Sequence, residues 1–247
     1  MPSTFVITGC SSGIGLDLVR TVAARGDKVF ALVRSKAGSR SGADEISAVE
    51  GDVTIIEGID VGKDDVGEAL AASALAGVTI DVLINNAGIF GDSMAQKLDA
   101  ITTDLMREVF EVNTLGPLRV TKALMGQLAS PGGKVVVIST GLGSIADNGS
   151  GGMYAYRTSK AGVNMVARSL AADLKKDDKG ISVAAIAPGF VATCLAGSVE
   201  MMEGWGAKPV GQATTGILDT IDAMTVENTG RYIMVPTDGG APKEFPW

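Results

Sequence analysis

Histidine is absent from all 247 residues, and cysteine occurs only twice, as Cys10 and Cys194. Without histidine there is no Ser-His-Asp triad and no His-ligated zinc site, and two cysteines make no thiolate or disulfide framework. Each cysteine reads as a small hydrophobe. Basic residues are scarce as well. Lys and Arg number 21 against 28 Asp and Glu, giving a net charge of −7, and no basic cluster is present to neutralise a row of phosphates. Nucleic acid is therefore not an expected partner. No apolar run reaches the roughly 18 residues of a membrane span. Met1-Pro2-Ser3-Thr4 leads directly into an apolar run, with no room for a charged leader and signal core. The expectation is a soluble cytoplasmic protein.

What is present is a regular alternation. Phe5-Val6-Ile7, Lys28 to Val33, Val53 to Ile56, Val82 to Ile84, Val135 to Ile138, Val183 to Ile186 and Arg231 to Val235 are short β-branched runs. Between them lie stretches with helical spacing, such as Ile14, Leu18 and Val22 closed by Gly26, and segments at about 64–76, 103–129 and 153–177. The pattern predicts an α/β Rossmann fold over 1–247 as a single domain, a doubly wound parallel sheet with helices on both faces. Segment 36–51, polar and rich in Ser and Gly, reads as a surface loop or short helix. Segment 194–216 mixes Gly197, Gly204, Gly206 and Gly211 with Leu195, Met201, Met202 and Trp205, which suits either a mobile cover over an apolar ligand or an ordinary surface excursion.

Two local patterns carry chemistry. Thr8-Gly9-Cys10-Ser11-Ser12-Gly13-Ile14-Gly15 lies between the first strand and the first helix, where glycines allow close approach of a pyrophosphate to unpaired helix N–H groups. Tyr156 and Lys160 stand four apart in a helical segment and so share a face. A phenol titrates near pH ~10, and a neighbouring cation favours the phenolate, which suits Tyr156 to proton transfer with a substrate oxygen.

With these patterns, Asn85-Asn86-Ala87-Gly88 after one strand and Pro188-Gly189-Phe190-Val191-Ala192-Thr193 after another make the whole chain resemble a short-chain dehydrogenase/reductase. The Tyr-Arg-Thr-Ser-Lys wording and the tail from Asp238-Gly239-Gly240 to Pro246-Trp247 are most similar to the Sniffer and C-factor group of carbonyl reductases. The resemblance implies hydride transfer between a nicotinamide and a carbonyl carbon, with Tyr156 as general acid and Lys160 tuning it and bonding the nicotinamide ribose. It further implies that Asn113 holds a water linking the lysine to solvent, with Gly116-Pro117 leaving a helix carbonyl free for it. Gly9, Ser11, Ser12, Gly13, Ile14 and Gly15 would cradle the pyrophosphate. Asn86, Ala87 and Gly88 would border the adenosine ribose. Asp60 and Val61, at the end of the third strand, would border the adenine. Pro188, Gly189, Val191 and Thr193 would lie against the carboxamide.

Cofactor choice follows from the residue after the second strand: an acid there binds a free ribose diol, an arginine a 2′-phosphate. The sequence reads Val33-Arg34-Ser35-Lys36, so NADP(H) is expected over NAD(H), unless Arg34 is simply an exposed arginine. The hydroxyl that polarises the carbonyl departs from the family's Ser-Ser: here the pair is Ser139-Thr140. Alignment by strand nominates Thr140, with Ser139 and Ser144 as alternatives. Lys160 and the intact glycines disfavour a halohydrin dehalogenase, and Met153 disfavours an enoyl reductase. A non-catalytic NADP(H)-binding sensor or C-factor-like signalling protein is the alternative outside enzymes. The substrate is expected to be a small, apolar carbonyl compound, and the long helices suit a homodimer or homotetramer.

Overall fold

The structure is a computed structural model that describes residues 1–35, 43–236 and 240–247. Residues 36–42 of the polar segment and Asp238-Gly239 of the tail lie outside the described residues. Eight strands form one sheet in the order β3-β2-β1-β4-β5-β6-β7-β8. They are β1 (Thr4–Thr8), β2 (Lys28–Leu32), β3 (Val53–Ile56), β4 (Val82–Asn85), β5 (Lys134–Ile138), β6 (Ser182–Ala187), β7 (Arg231–Met234) and β8 (Lys243–Glu244). The first seven are mutually parallel, as their continuous aliphatic runs require. β8 pairs antiparallel with β7, placing Glu244 opposite Ile233 and Lys243 opposite Met234. The Gly- and Pro-rich tail thus ends in a strand that the sequence pattern does not announce.

The pleat divides each strand between two cores. Val6, Leu83, Val135 and Val183 face one side of the sheet and pack on α3 (Val66–Ala71), α5 (Gly116–Leu124) and α6 (Tyr154–Lys176). Phe5, Ile7, Ile84, Val136 and Ile186 face the other and meet α1 (Gly13–Ala24), α2 (Ala43–Ser47) and α8 (Val210–Asp222). α1 ends as its glycine predicts, with Gly26 at φ 83° and its N–H on the Ala23 carbonyl at 2.9 Å. The strand order reverses between β1 and β4, and the loops after those two strands flank the crevice where ligands of such sheets bind. Among the described residues no helix is long and apolar enough to cross a membrane.

Four expectations are revised. The stretch 103–129 is not one helix: α4 (Thr103–Phe110) passes through a π turn, Glu111–Leu115, into α5, followed by a 3-10 turn at Met125–Gln127. Pro117 has no N–H to offer the Asn113 carbonyl, and the Gly116 N–H bonds the Glu111 carbonyl five residues back instead. The helix at 64–76 shortens to α3, because the Ser73 hydroxyl turns back to the Leu70 carbonyl at 2.7 Å and accepts from the Leu75 N–H. β3 ends at Ile56, so Asp60 follows it by a turn rather than closing it. The segment 194–216 also divides. It contains α7 (Val199–Gly204), but from Val210 onward it is α8, with Ala213, Thr214 and Gly216 buried. A Cβ on Gly216 would stand 2.3 Å from Val235 Cγ1, so this end is packed core and only 194–209 is left as a possible cover.

Candidate active site

The glycine loop and the loop after β4 are laced together. The Thr8 hydroxyl accepts from the N–H groups of Asn86 at 3.0 Å and Ala87 at 2.9 Å. The Asn86 amide donates to the carbonyls of Thr8 and Gly9, and Gly9 N–H donates to Leu32 at the end of β2. Space is short: a Cβ on Gly9 would stand 2.8 Å from Ala87 Cα, and one on Gly15 would stand 2.3 Å from the Gly9 carbonyl oxygen. Ser12, in extended conformation, does not cap α1 with its side chain, and the helix has no acid in its first turn. Gly13, Ile14 and Gly15 therefore present N–H groups and the positive end of a 12-residue helix, a cradle that fits a phosphate anion. Cys10 is fully buried, and burial pushes its thiol pKa well up. It acts as the small hydrophobe its context suggests.

Other residues surround this cradle. Gly189 takes φ 82°, and the Pro188–Thr193 loop swings over the glycine loop until Thr193 Cγ2 lies 3.3 Å from where a Cβ of Gly13 would be. Val191 bridges to Lys208. Ser12, Gly13, Leu16, Thr193 and Val199 line a cleft of about 250 Å³ there. Arg34 and Ser35 are exposed just past β2, with the Arg34 carbonyl held by the Gly58 N–H at 3.1 Å. Asp60 spends Oδ1 on the Gly62 N–H at 3.0 Å, and Val61 is buried against Gly116.

At the chemical end, Tyr156 and Lys160 are both buried in the first two turns of α6, and the ammonium lies 5.9 Å from the phenol ring centroid. Lys160 Nζ donates to the Ile138 carbonyl at 2.7 Å. Asn113, buried in the π turn, grips Ile89 by both backbone groups at 2.8 Å and donates to the Ser159 hydroxyl at 3.0 Å. Ser159 in turn donates to the Tyr156 carbonyl at 2.8 Å. A Cβ on Gly88 would lie 3.1 Å from Asn113 Oδ1 and 3.6 Å from Lys160 Nζ, so three of the motifs converge on one spot.

Burial pushes the Tyr156 phenol pKa well above its ordinary value, with Tyr232 adding to the effect, while the neighbouring ammonium is engaged at the Ile138 carbonyl. Burial brings Lys160 down from 10.5 to about 8. Below about pH 8 the folded chain bears a desolvated ammonium. Between there and 10.5 the unfolded chain binds the extra proton, so this group makes stability rise with pH, by about 3 kcal/mol at most. Urea unfolding at about pH 7 and about pH 9.5 is expected to show this rise in the wild type and not in Lys160→Met. Equal slopes in the two would contradict it.

The three candidate hydroxyls differ in what they already do. Ser139 is buried and donates to Asn164 Oδ1 at 2.6 Å. Ser144, also buried, accepts from the Asp147 N–H at 3.0 Å. Thr140 is half-buried and accepts from the Leu142 N–H at 3.3 Å, which leaves its hydroxyl hydrogen to point elsewhere. The Thr140 carbonyl accepts from the Tyr232 hydroxyl. The Tyr232 ring stacks with Trp247 at 5.2 Å and meets Phe245 edge-on at 5.5 Å. The Ala146 N–H bonds the Trp247 carbonyl, so the tail anchors this loop. Buried Arg157 ties the same loop to α6 through Leu142 and Ser150. Ser159, Asn164, Tyr232 and Gln96 are the polar groups that sequence reasoning missed. Asn164 follows Lys160 by four residues and was open to the same helix-face rule, whereas Gln96, in an irregular loop, left no periodic signal.

Residues 3–204 match the family described as short chain dehydrogenase. The chain is 36% identical over 231 residues to a 1-hydroxy-2-glutathionyl-2-methyl-3-butene dehydrogenase of Rhodococcus sp. (strain AD45), covering 93% of this chain and 95% of that one. Its fold superposes on the NADPH-bound carbonyl reductase from chicken fatty liver with TM-score 0.84 and 27% identity, covering 100% of both chains. The carbonyl reductase Sniffer of D. melanogaster is similar at TM-score 0.80 and 28% identity, again over 100% of both.

Proposed function

Since the chain belongs to the short-chain dehydrogenase family and is an oxidoreductase of that family, we propose that it reduces a ketone or aldehyde with NADPH, reversibly, through Tyr156. The observation that carries this reading is the convergence of buried Tyr156, Lys160, Asn113 and Gly88 beside a glycine cradle suited to phosphate. A dinucleotide held in that cradle would supply the hydride that the carbonyl carbon accepts. Tyr156 gives its phenolic proton to the carbonyl oxygen, and the Lys160 ammonium offsets the phenolate that forms. Asn113 keeps a backbone carbonyl without its usual partner, because Pro117 has no N–H, and a water held there links Lys160 to solvent, so that a solvent proton refills the ammonium once it has passed its own to the phenolate. Thr140 donates a hydrogen bond to the same carbonyl oxygen.

Gly9, Ser11, Ser12, Gly13, Ile14 and Gly15 hold the pyrophosphate; Arg34 and Ser35 hold the 2′-phosphate. Asp60, Val61, Asn86, Ala87 and Gly88 border the adenosine. Pro188, Gly189, Val191 and Thr193 hold the carboxamide, and Lys160 the nicotinamide ribose. Residues 194–209 form the cover of a single-domain fold, and exposed Phe190, Leu195 and Trp205 give its rim an apolar character that selects an apolar substrate. Leu118 and Met165, exposed on α5 and α6, suit a homodimer or homotetramer.

The test is NADPH oxidation with a panel of ketones, aldehydes and quinones. Turnover is expected with apolar carbonyls, and tight NADPH binding with silence across the panel would favour a sensor instead. Alanine substitution separates the hydroxyls. Thr140→Ala is expected to lower kcat about 100- to 1,000-fold, as loss of one donor to a developing oxyanion does. Ser139→Ala is expected to cost about 1–3 kcal/mol of stability by removing a buried donor to Asn164 Oδ1, with a smaller kinetic effect. A large loss of kcat confined to Ser139→Ala or Ser144→Ala would move the role to that serine.

A further inference from the structure

The helix that bears Tyr156 begins abnormally. Gly151, Gly152 and Met153 take φ 63°, 65° and 49° in succession, and Met153, at the N-cap, offers no side-chain acceptor to the first turn. A helix start leaves N–H groups that need partners, and buried ones are costly to leave bare. Here a residue almost sixty positions upstream supplies them. The backbone carbonyl of Gln96 accepts from Tyr154 N–H at 3.4 Å. Its side-chain Oε1 accepts from Ala155 N–H at 3.1 Å and Tyr156 N–H at 3.4 Å. Its Nε2 donates to the Phe90 carbonyl at 2.5 Å. Gln96 is 2% exposed, and no other side chain of its length both accepts and donates in this way.

Through Phe90 the same residue is linked to the phenol ring. The Phe90 ring packs on the Tyr156 ring at 4.7 Å between centroids, tilted by 42°. Gly91 then turns away at φ 82°, where a Cβ would press on Val109 at 2.9 Å and approach Gln96 Nε2 to 3.4 Å. One carboxamide thus holds the backbone of Tyr156 from one side and the aromatic neighbour of its ring from the other.

We propose that Gln96 is a positioning residue that sets the Tyr156 phenol in its reactive pose, by capping the first turn of α6 and clamping Phe90 against the ring. This rests on the reading of Tyr156 as proton donor. Misplacing a reacting group by about 1 Å costs on the order of 100-fold in rate, so the effect belongs in kcat rather than in cofactor affinity. Glutamate at this position keeps both acceptor bonds to the helix and loses the donation to Phe90. It also brings a carboxylate toward the phenol, on which Lys160 and Tyr232 already act, and a like charge disfavours the phenolate.

The test compares Gln96→Ala, Gln96→Glu and Tyr156→Phe with the wild type. In the cofactor-free protein, Gln96→Ala is expected to speed amide hydrogen exchange at Tyr154, Ala155 and Tyr156 about tenfold or more, while Gln96→Glu keeps their protection. In turnover, Gln96→Ala is expected to lower kcat about 10- to 100-fold, with the Kd for NADPH within about twofold. Gln96→Glu is expected to move the rising limb of the pH profile for alcohol oxidation about half a unit or more to the alkaline side. Gln96→Ala with kcat within about threefold of wild type, or Gln96→Glu with both exchange protection lost and an unmoved pH limb, overturns the inference. Full activity in Tyr156→Phe would instead remove the reading of Tyr156, and the exchange result would still decide the cap.

Discussion

Tyr156→Phe is expected to lower kcat for carbonyl reduction roughly 100- to 10,000-fold, with the Kd for NADPH and the unfolding midpoint little changed. The substitution deletes one oxygen and keeps the ring that packs on Phe90 at 4.7 Å, so no cavity opens beneath it. The hydride still has a carbonyl carbon to reach, but the oxygen acquires charge with no proton donor at hand, and Thr140 can bond that charge without discharging it. The loss should appear equally in kcat and kcat/KM, the mark of an interaction made only in the transition state. Burial pushes the phenol up and Lys160 down to about 8, which moves donor and neighbouring cation apart in proton affinity, so the phenol keeps its proton until a developing oxyanion takes it. A variant within tenfold of wild type would show that the proton comes from elsewhere.

Arg34→Asp is expected to reverse cofactor choice. A charged hydrogen bond to a phosphate is worth about 1.5–3 kcal/mol, so losing it should reduce kcat/KM for NADPH about 10- to 150-fold. A carboxylate in the same place repels the 2′-phosphate and accepts from a free ribose diol, which should raise kcat/KM for NADH. Arg34 is exposed just past β2, whose Leu32 carbonyl anchors the glycine loop, so the exchange disturbs no packing. Steady-state kinetics with both cofactors check it. Comparable kcat/KM for the two in the wild type would remove its premise.

Legibility in the sequence followed the physics of each element. The strands of the parallel sheet could be read within a residue or two at their ends, because burial on both faces demands unbroken aliphatic runs such as Lys134–Ile138 and Ser182–Ala187. The glycine loop could be read because positions such as Gly15 have no space for a side chain. The π turn at Glu111–Leu115 was only half legible: Pro117 announces a lost bond, but not whether the helix stops or shifts register. The terminal strand was illegible, since two residues of β8 carry no period and owe their pairing to the edge of β7. Gln96 escaped for a related reason. A side chain that serves a helix start 59 and 60 positions away leaves no pattern in its own neighbourhood.

The anchoring of the Thr140 loop has a consequence for how the chain is made. Its carbonyl waits for Tyr232, 92 residues further on, and the Tyr232 ring in turn waits for Phe245 and Trp247. At ribosomal speeds of about 5–20 residues per second, that is an interval on the order of ten seconds. Through it the nascent chain can assemble β1 to β5 and their helices while the Thr140 loop is held by α6 alone. A chain interrupted before Phe245 and Trp247 therefore holds a formed glycine cradle beside a Thr140 loop without its aromatic support.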